Sequence, residues 1–453
     1  GGAGATGGST GSGGAPGAAA GGSGQNAGLV TTGPGGQVTV TIPGSAAAPS
    51  SAGAAVRGVT PTEITIGIAY LDLGPVAYLG PQFSFGNVPQ EWAALIDGWK
   101  RQGLLPVAGR TVKLVFQKYS VLDTTQENAA CTALVQDQHV FAVIAPQFFY
   151  QYGDECVTNQ YHTPLITTDG APDDVYAAGA PYLFTVMTSE DNLLQNWIHW
   201  AQDRGYLKGR KIGVYSLDDP QDQQLVAKDV VGTLSRLGYS VSAEATTSSA
   251  SGGPDDALAV QKFRAAGVDL ALLMTSNLGF EEQAAAQAYY PKYIDSDFNG
   301  DTTYLGANDY PPQEYDGTYA VTEQRHGEYS AGIAPPPAAG PCLQNYERYS
   351  GQSVPTANET NGTWVYVMYS CDLGSLLLRG LQAAGADLTP ARFIAGVESV
   401  QNQPMIMFPN VSFGPGDHEG VHAQRTLQWH AACKCWEARG AFTSLDVQPA
   451  PSG

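Results

Sequence analysis

Positive charge is scarce in this chain. Lys and Arg number 22 against 42 Asp and Glu, which gives a formal net charge of −20, and charged residues of both signs make up only 14%. A polyanion would be repelled by such a surface, so nucleic acid is excluded as a partner and an anionic membrane surface is disfavoured. No apolar run approaches the ~20 residues of a membrane span. Cysteines number only 6. An even number suits bridges in an oxidising compartment, with scattered buried thiols as the alternative. There is no Cys-x-x-Cys pair to suggest zinc. No Gly-x-Ser-x-Gly, Walker or dinucleotide fingerprint follows any apolar run, and Ser, His and Asp form no triad pattern. The reading is a non-enzymatic chain with no cofactor.

Large apolar side chains are almost missing from residues 1–58, which are mostly Gly, Ala, Ser, Thr and Pro. Such a segment cannot bury enough surface to offset its ordering entropy, and a flexible tether is expected. Gln37-Val-Thr-Val-Thr-Ile42 alternates and reads either as a sticky patch in that tether or as an added edge strand. Residues 446–453 form a short tail.

What the chain does contain is a repeated pattern. Glu63-Ile-Thr-Ile-Gly-Ile-Ala-Tyr70 is an apolar, β-branched run followed by a loop. Lys113–Gln117, Phe141–Ala145, Pro164–Thr167, Lys211–Tyr215 and Asp269–Met274 are similar short runs, each followed by turn residues and a helix-like segment. Continuous apolar runs alternating with helices mean strands buried on both faces of a parallel sheet. Helices are expected at Glu91–Gln102, Thr125–Gln138, Asp191–Arg204, Gln221–Leu237, Asp255–Ala266, Phe280–Tyr290, Thr363–Ala384 and Thr389–Glu398. In the first, Trp92, Leu95, Ile96 and Trp99 share one face, which reads as core. Thr188-Ser-Glu-Asp191 is a capping signal. Asp316–Thr322 reads as a strand, Ala331–Pro341 as a Pro/Gly loop and Pro409–Ala438 as β-hairpin material.

A chain of 453 residues is too long for one core. The two βα series predict an α/β fold of two doubly wound parallel-sheet lobes joined by several crossing strands. Residues 59–186 plus 324–400 are assigned to lobe 1 and residues 187–323 plus 401–445 to lobe 2. Hinge closure on a ligand is the motion such an architecture allows.

The linear order of these features resembles the type I periplasmic binding proteins, specifically the branched-chain amino acid (Leu/Ile/Val-binding) type of ABC-transporter substrate-binding protein. The resemblance covers roughly residues 61–440. It rests on Ile64-Thr-Ile-Gly-Ile68 after Val59-Thr-Pro-Thr-Glu63, on Phe141-Ala-Val-Ile-Ala-Pro146 and Tyr161-His-Thr-Pro-Leu-Ile166, and on Tyr182-Leu-Phe-Thr185 ahead of the first crossing. Lys211-Ile-Gly-Val-Tyr215 and the closing Phe413-Gly-Pro-Gly-Asp-His418, Leu427-Gln428 and Cys435-Trp436 complete it. The resemblance implies an extracytoplasmic receptor that captures a small solute for an ABC permease. A lipid anchor ahead of the Gly/Ala-rich tail is a further implication. A monomer is expected, with self-association through the N-terminal tail, as a surface interaction protein reusing the fold, kept as the alternative; a ligand sensor is another. The resemblance further implies pairing of Cys131 with Cys156. Cys342 and Cys371 are expected to pair across a long irregular stretch. Cys433 and Cys435 are left over, and their bridge would close a very small ring.

In open α/β sheets ligands bind beyond the carboxyl ends of the strands. The candidates there are Asp72, Tyr78, Gln147, Phe148, Phe149, Tyr150, Thr168 and Asp169 in lobe 1, and Tyr215, Asp218, Ser276, Asn277 and Asn308 in lobe 2, with Glu323 near a crossing. Gln147-Phe-Phe-Tyr150 is bulky where amino acid binders of this group usually carry small hydroxyl residues. A larger or more aromatic solute is therefore expected, unless these rings pack under the following helix. His418-Glu-Gly-Val-His422 matches the His-Glu-x-x-His zinc signature. Gly414, Gly416 and Gly420 around it argue against the helix that this chemistry needs.

Overall fold

The computed structural model describes residues 29–32, 38–41, 56–74, 84–120, 125–146, 151–248, 253–275 and 279–447. Two sheets dominate. The first is built from β1 (Leu29–Thr32), β2 (Val38–Thr41), β3 (Glu63–Asp72), β4 (Thr111–Ser120), β5 (Ala142–Ala145), β6 (Leu165–Thr167) and β7 (Leu183–Thr185), in the spatial order β1-β2-β4-β3-β5-β6-β7. From β4 to β7 all pairings are parallel, whereas β1 and β2 add antiparallel at the β4 edge. Of the two readings of residues 37–42, the added edge strand is thus the one present, at Val38–Thr41. Its register sets Val38 opposite Phe116 and Val40 opposite Leu114.

The second sheet contains β8 (Ile212–Leu217), β9 (Val241–Thr247), β10 (Leu270–Met274), β11 (Lys292–Asp295), β12 (Tyr319–Thr322), β13 (Ala423–His430) and β14 (Cys435–Ser444), in the order β14-β13-β12-β11-β10-β8-β9. It is parallel from β9 to β12, and β13 and β14 close it as an antiparallel hairpin. The continuous ladder of the expected hairpin region begins at Ala423; within 409–422 the pairing is by isolated bridges, among them Val411 with Val421 and Gly414 with Asp417. Central strands such as β5 and β10 are buried along their whole length, which is why they read as unbroken apolar runs.

Helices cover the sheets. They are α1 (Val88–Arg101), α2 (Thr125–Thr132), α3 (Gln151–Glu155), α4 (Asp173–Gly179), α5 (Glu190–Asp203), α6 (Pro220–Leu225), α7 (Gly232–Arg236), α8 (Pro254–Ala266), α9 (Gly279–Ala286), α10 (Tyr304–Ala307), α11 (Pro312–Tyr315), α12 (Ala339–Ser350), α13 (Gly362–Ala384) and α14 (Pro390–Glu398). The expected helix at Thr125–Gln138 ends in a wider π turn, Ala133–Asp137, and that at Gln221–Leu237 contains another, Val226–Val231. Caps fix the starts: Asn87, Ser189, Asn361 and Thr389 each accept a hydrogen bond from an amide in the first turn of their helix. On α1, Trp92, Leu95, Ile96 and Trp99 are buried as core. Gly374 of α13 leaves room for Leu95, since a Cβ there would lie 2.3 Å from Leu95 Cδ2.

The fold is therefore α/β, with two doubly wound parallel-sheet lobes. In each sheet the chain reverses its winding direction beside the first strand: between β3 and β5, and between β8 and β10. Helices α12 to α14 return to the first sheet, where α12 and α13 pack on α1. Three bridges staple the chain: Cys131–Cys156, Cys342–Cys371 and Cys433–Cys435. The last closes the turn between β13 and β14.

Candidate functional site

The chain crosses between the sheets three times: after β7, after β12 and ahead of β13. The crossings bond to one another. The Thr188 amide and hydroxyl donate to the two carboxyl oxygens of Glu323 at 3.1 and 2.7 Å. The Ser189 amide and the Asn192 side-chain amide donate to Glu419. The Thr185 amide donates to the His418 carbonyl at 3.0 Å, and the Gly420 amide donates back to the Thr185 carbonyl at 2.9 Å. Burial is the main reason that the Glu323 carboxyl is pushed up to about 8, partly offset by its bonds from Thr188, and that Glu419 is pushed up to about 7.

Above these crossings lies a cavity of about 90 Å³ between the strand ends of the two sheets. Thr168, Asp169 and Gly170, on the turn after β6, form one wall with Tyr369 of α13. Asp297, Phe298, Gly300 and Thr303, after β11, form the opposite wall. Met187, Thr188, Glu190, Leu193 and Gln324 supply the base. The first wall is tied to the crossing below it. The Thr185 hydroxyl donates to the Asp169 carbonyl at 2.6 Å, and the Glu190 amide donates to the Ala171 carbonyl at 3.0 Å. On the other side Asp297 accepts from Thr302, from the Thr322 hydroxyl at 2.9 Å and from the Glu323 amide at 2.6 Å. Tyr369 donates to Gln324 Oε1 at 2.7 Å, which joins α13 to the second crossing.

Gly170 sits where the wall meets the base. A Cβ there would lie 2.5 Å from the Thr188 carbonyl oxygen, a backbone atom that cannot rotate away. Gly170→Ala should push the wall off the crossing. We expect a loss of about 1–3 kcal/mol in stability, the usual cost of overpacking, and reduced ligand affinity. Chemical denaturation and a binding titration of the variant check this.

The cavity is acidic. Asp169, Glu190 and Asp297 line it, and among the described residues no Lys, Arg or His does. Glu190 is pushed well above the usual carboxylate range, by burial first and then by Asp222, Asp191, Asp169 and Asp219. Asp222, at the start of α6, is pushed up to about 8 by burial and by Asp219. Glu127 of α2 is pushed up to about 7 and Asp154 of α3 well above its ordinary range, both by burial first and by the Asp169 charge next.

Of the residues expected at the site, Thr168 and Asp169 line the cavity, and Glu323 holds the base from behind. Asp72 lies at the end of β3 in an ion pair with Lys118 at 2.7 Å. Tyr215 does not reach the cavity: it is fully buried, donates to Asp256 of α8 and packs on Phe280 of α9. The alternation of β8 turns it to the helical layer. Asp218 is exposed after β8, and Asn308 follows α10 without lining the cavity. Tyr78, Gln147, Phe148, Phe149, Tyr150, Ser276 and Asn277 lie outside the described residues. The second wall is faint in the sequence because β11 has only Tyr293 and Ile294 as apolar signal. Tyr369 sits in an apolar helix, where nothing in the sequence separates it from core.

His418 and His422 are not on a helix. His418 stacks on Phe184 and bonds the Leu183 carbonyl at 2.9 Å and Glu398 at 3.1 Å, while His422 contacts the Ser412 carbonyl at 3.2 Å. Glu419, between them, serves the first crossing instead. Among the described residues no group of three or more His, Cys, Asp or Glu side chains is placed to hold a metal ion.

Two doubly wound lobes, three mutually bonded crossings and a cavity between strand ends define the class of two-lobed solute-binding proteins. The chain belongs to the periplasmic binding protein family, whose model matches residues 63–434. No curated protein matches it. Solved structures share the fold at low identity. A fatty acid ABC transporter substrate-binding protein from Thermomonospora curvata is 16% identical, with a TM-score of 0.62 over 86% of this chain and 95% of that one. A leucine binding protein from Thermotoga maritima MSB8 is 13% identical, with a TM-score of 0.61 over 84% and 99%. A solute binding protein of an ABC transporter from Rhodopseudomonas palustris BisB5, in complex with 3,4-dihydroxy benzoic acid, is 13% identical, with a TM-score of 0.60 over 84% and 98%. These relatives are binding proteins, not enzymes.

Proposed function

We propose that this chain is an extracytoplasmic solute receptor for an ABC importer, capturing one small molecule in the cavity between its lobes and presenting the closed form to a membrane permease. The observation that carries the reading is the cavity itself: both lobes contribute walls, and its base is made of the crossings. A ligand touching Asp169 on one side and Phe298 on the other gains contacts in the closed form that the open form lacks, so binding favours closure. We assign residues 59–186 and 324–400 to one lobe, and 187–323 and 401–445 to the other; because β1 and β2 pair on the edge of the first sheet, the tether that a lipid anchor would use is narrowed from residues 1–58 to the segment ahead of Leu29. Residues 401–413, however, are bonded to α13 and Val400 of the first lobe, so the lobe boundary is better drawn near Phe413. The site-residue proposal is correspondingly narrowed to Thr168, Asp169 and Glu323 among the described candidates, joined by Glu190, Asp297, Phe298, Gln324 and Tyr369. Leu193, Met187, Phe298 and Tyr369 give the solute apolar and aromatic walls, which supports a ligand larger or more aromatic than a simple amino acid.

The test is small-angle scattering on the full chain with a panel of small solutes, paired with thermal shift. The expected result is a solute that raises the melting temperature and lowers the radius of gyration together. A panel that shifts neither quantity counts against the receptor reading.

A further inference from the structure

We propose that the Cys433–Cys435 bridge is a thiol–disulfide exchange site that accepts two electrons from a small dithiol, and not a structural staple like the other two bridges. The proposal is independent of the solute and of the receptor reading above.

Stapling gives this bridge little to do. A disulfide stabilises a fold mainly by restricting the unfolded chain, and the gain grows with the length of chain it closes. Cys131–Cys156 and Cys342–Cys371 have sequence separations of 25 and 29, whereas Cys433–Cys435 has a separation of 2. So small a loop leaves almost no chain entropy to remove. The hairpin does not need the bridge either. β13 and β14 are held by a ladder that runs from Ala423–Ser444 to His430–Cys435, and within it Trp429 faces Trp436, both of them core.

Two further observations favour exchange. The ring contains one intervening residue, Lys434, whose φ of 50° lies in the left-handed region that lysine rarely adopts. A ring that holds its backbone there opposes closure, so reduction is favoured relative to an unconstrained bridge. Access is the second. Cys433 is exposed at the hairpin turn, whereas Cys131, Cys156 and Cys342 are 0%, 2% and 5% exposed and Cys371 is half-buried. Exposed, constrained bridges are the labile ones, and sealed bridges resist reduction. Lys434 stands between the two sulfurs in the chain, and a neighbouring ammonium favours the thiolate that must leave.

The exchange balances as follows. One thiolate of the dithiol attacks Cys433 Sγ, the exposed sulfur. A mixed disulfide forms there, the bond to Cys435 Sγ breaks, and Cys435 leaves as a thiolate that takes up a proton. The second thiol of the dithiol then attacks its own sulfur in the mixed disulfide and releases the Cys433 thiolate. The dithiol ends as a disulfide, and the protein has gained two electrons and two protons.

The experiment holds the native full chain in graded dithiothreitol, traps free thiols with N-ethylmaleimide and scores each bridge by peptide mass. We expect Cys433–Cys435 to open at a dithiothreitol poise about a hundredfold or more milder than Cys131–Cys156 or Cys342–Cys371. Cys435→Ser, incubated with oxidised glutathione, should take up one glutathione on Cys433, and Cys433→Ser should take up far less on the buried Cys435. The double variant Cys433→Ser/Cys435→Ser should keep the denaturation midpoint of the parent. A Cys433–Cys435 bridge that opens together with the other two, or after either, overturns the proposal. So does a double variant that unfolds at clearly lower denaturant or fails to fold, because the bridge is then structural. Uptake of glutathione by Cys433→Ser at the rate of Cys435→Ser overturns the assignment of Cys433 as the attacked sulfur.

Discussion

Acidifying the solution from pH 8 to pH 5.5 should stabilise this protein. The buried carboxyls Glu323, Glu419, Asp372 and Glu127 have folded-state values of about 8, 7, 7 and 7, each raised chiefly by burial. In the unfolded chain the same groups release their protons near pH 4. Between those limits the folded state holds more protons than the unfolded one, so proton binding favours folding. The contribution is present below the unfolded values, falls progressively as pH rises through about 7 to 8, and is fully lost above that. Every tenfold difference in proton affinity between the two states corresponds to about 1.4 kcal/mol. Even partial realisation across these four groups should lower the melting temperature by roughly 10 °C between pH 5.5 and pH 8. Calorimetry across that range checks the slope. A melting temperature that rises with pH would show that the acids are ionised and compensated in the folded state. Glu323 and Glu419 also join the crossings, so the same titration should change how readily the lobes move.

The order of strands and helices was legible from Glu63 to Met274 because a strand buried on both faces must be apolar throughout, and each of these is followed by a helix with a clear cap or apolar face. Beyond that the signal weakens for physical reasons. The strand Lys292–Asp295 is short, its first residue is exposed, and its last, Asp295, accepts from Tyr315 in the interior. Val38–Thr41 is a strand because the β4 edge completes it; in isolation its Gly-rich surroundings resemble a tether. The π turns at Ala133–Asp137 and Val226–Val231 leave no mark on the apolar periodicity. The rule that function follows strand ends picked out Thr168 and Asp169, which line the cavity, but it also admitted Tyr215, whose ring the strand's alternation sends to the helical side. The base of the cavity comes from crossings. There Thr188-Ser-Glu-Asp191 was legible as a helix cap, yet its partners Glu323 and Glu419 lie 135 and 230 residues further along the chain. Bonds of that span leave no local pattern to read.

The joint beneath the third crossing offers the second large effect. Asp372 lies mid-way along α13, 3% exposed, and its two carboxyl oxygens each accept one amide, from Ile406 and Met407, both at 2.8 Å. The segment that carries those amides is irregular and deeply buried: Met405, Ile406, Met407 and Phe408 are all core. An irregular segment cannot satisfy its own amides, so one side chain must satisfy both. Asp372→Ala would leave two buried N–H groups unpaired and open a small void. At about 1–3 kcal/mol for each unsatisfied donor, the expected loss is roughly 3–5 kcal/mol. Asp372→Asn is the informative companion. Its amide keeps the shape and one acceptor oxygen but turns a donor toward the second N–H, so it should lose less than the alanine variant while still falling clearly below the parent. Arg325 is joined to the same segment, its side chain donating to the Phe408 carbonyl at 2.8 Å and its amide to the Met407 carbonyl at 2.9 Å. Asp372 therefore braces the second crossing as well as the third. The loss should appear as a lower denaturation midpoint together with a weaker ligand-induced compaction in scattering. Equal midpoints for the parent and alanine variant would mean that residues 405–408 find other partners and that α13 does not anchor the crossings.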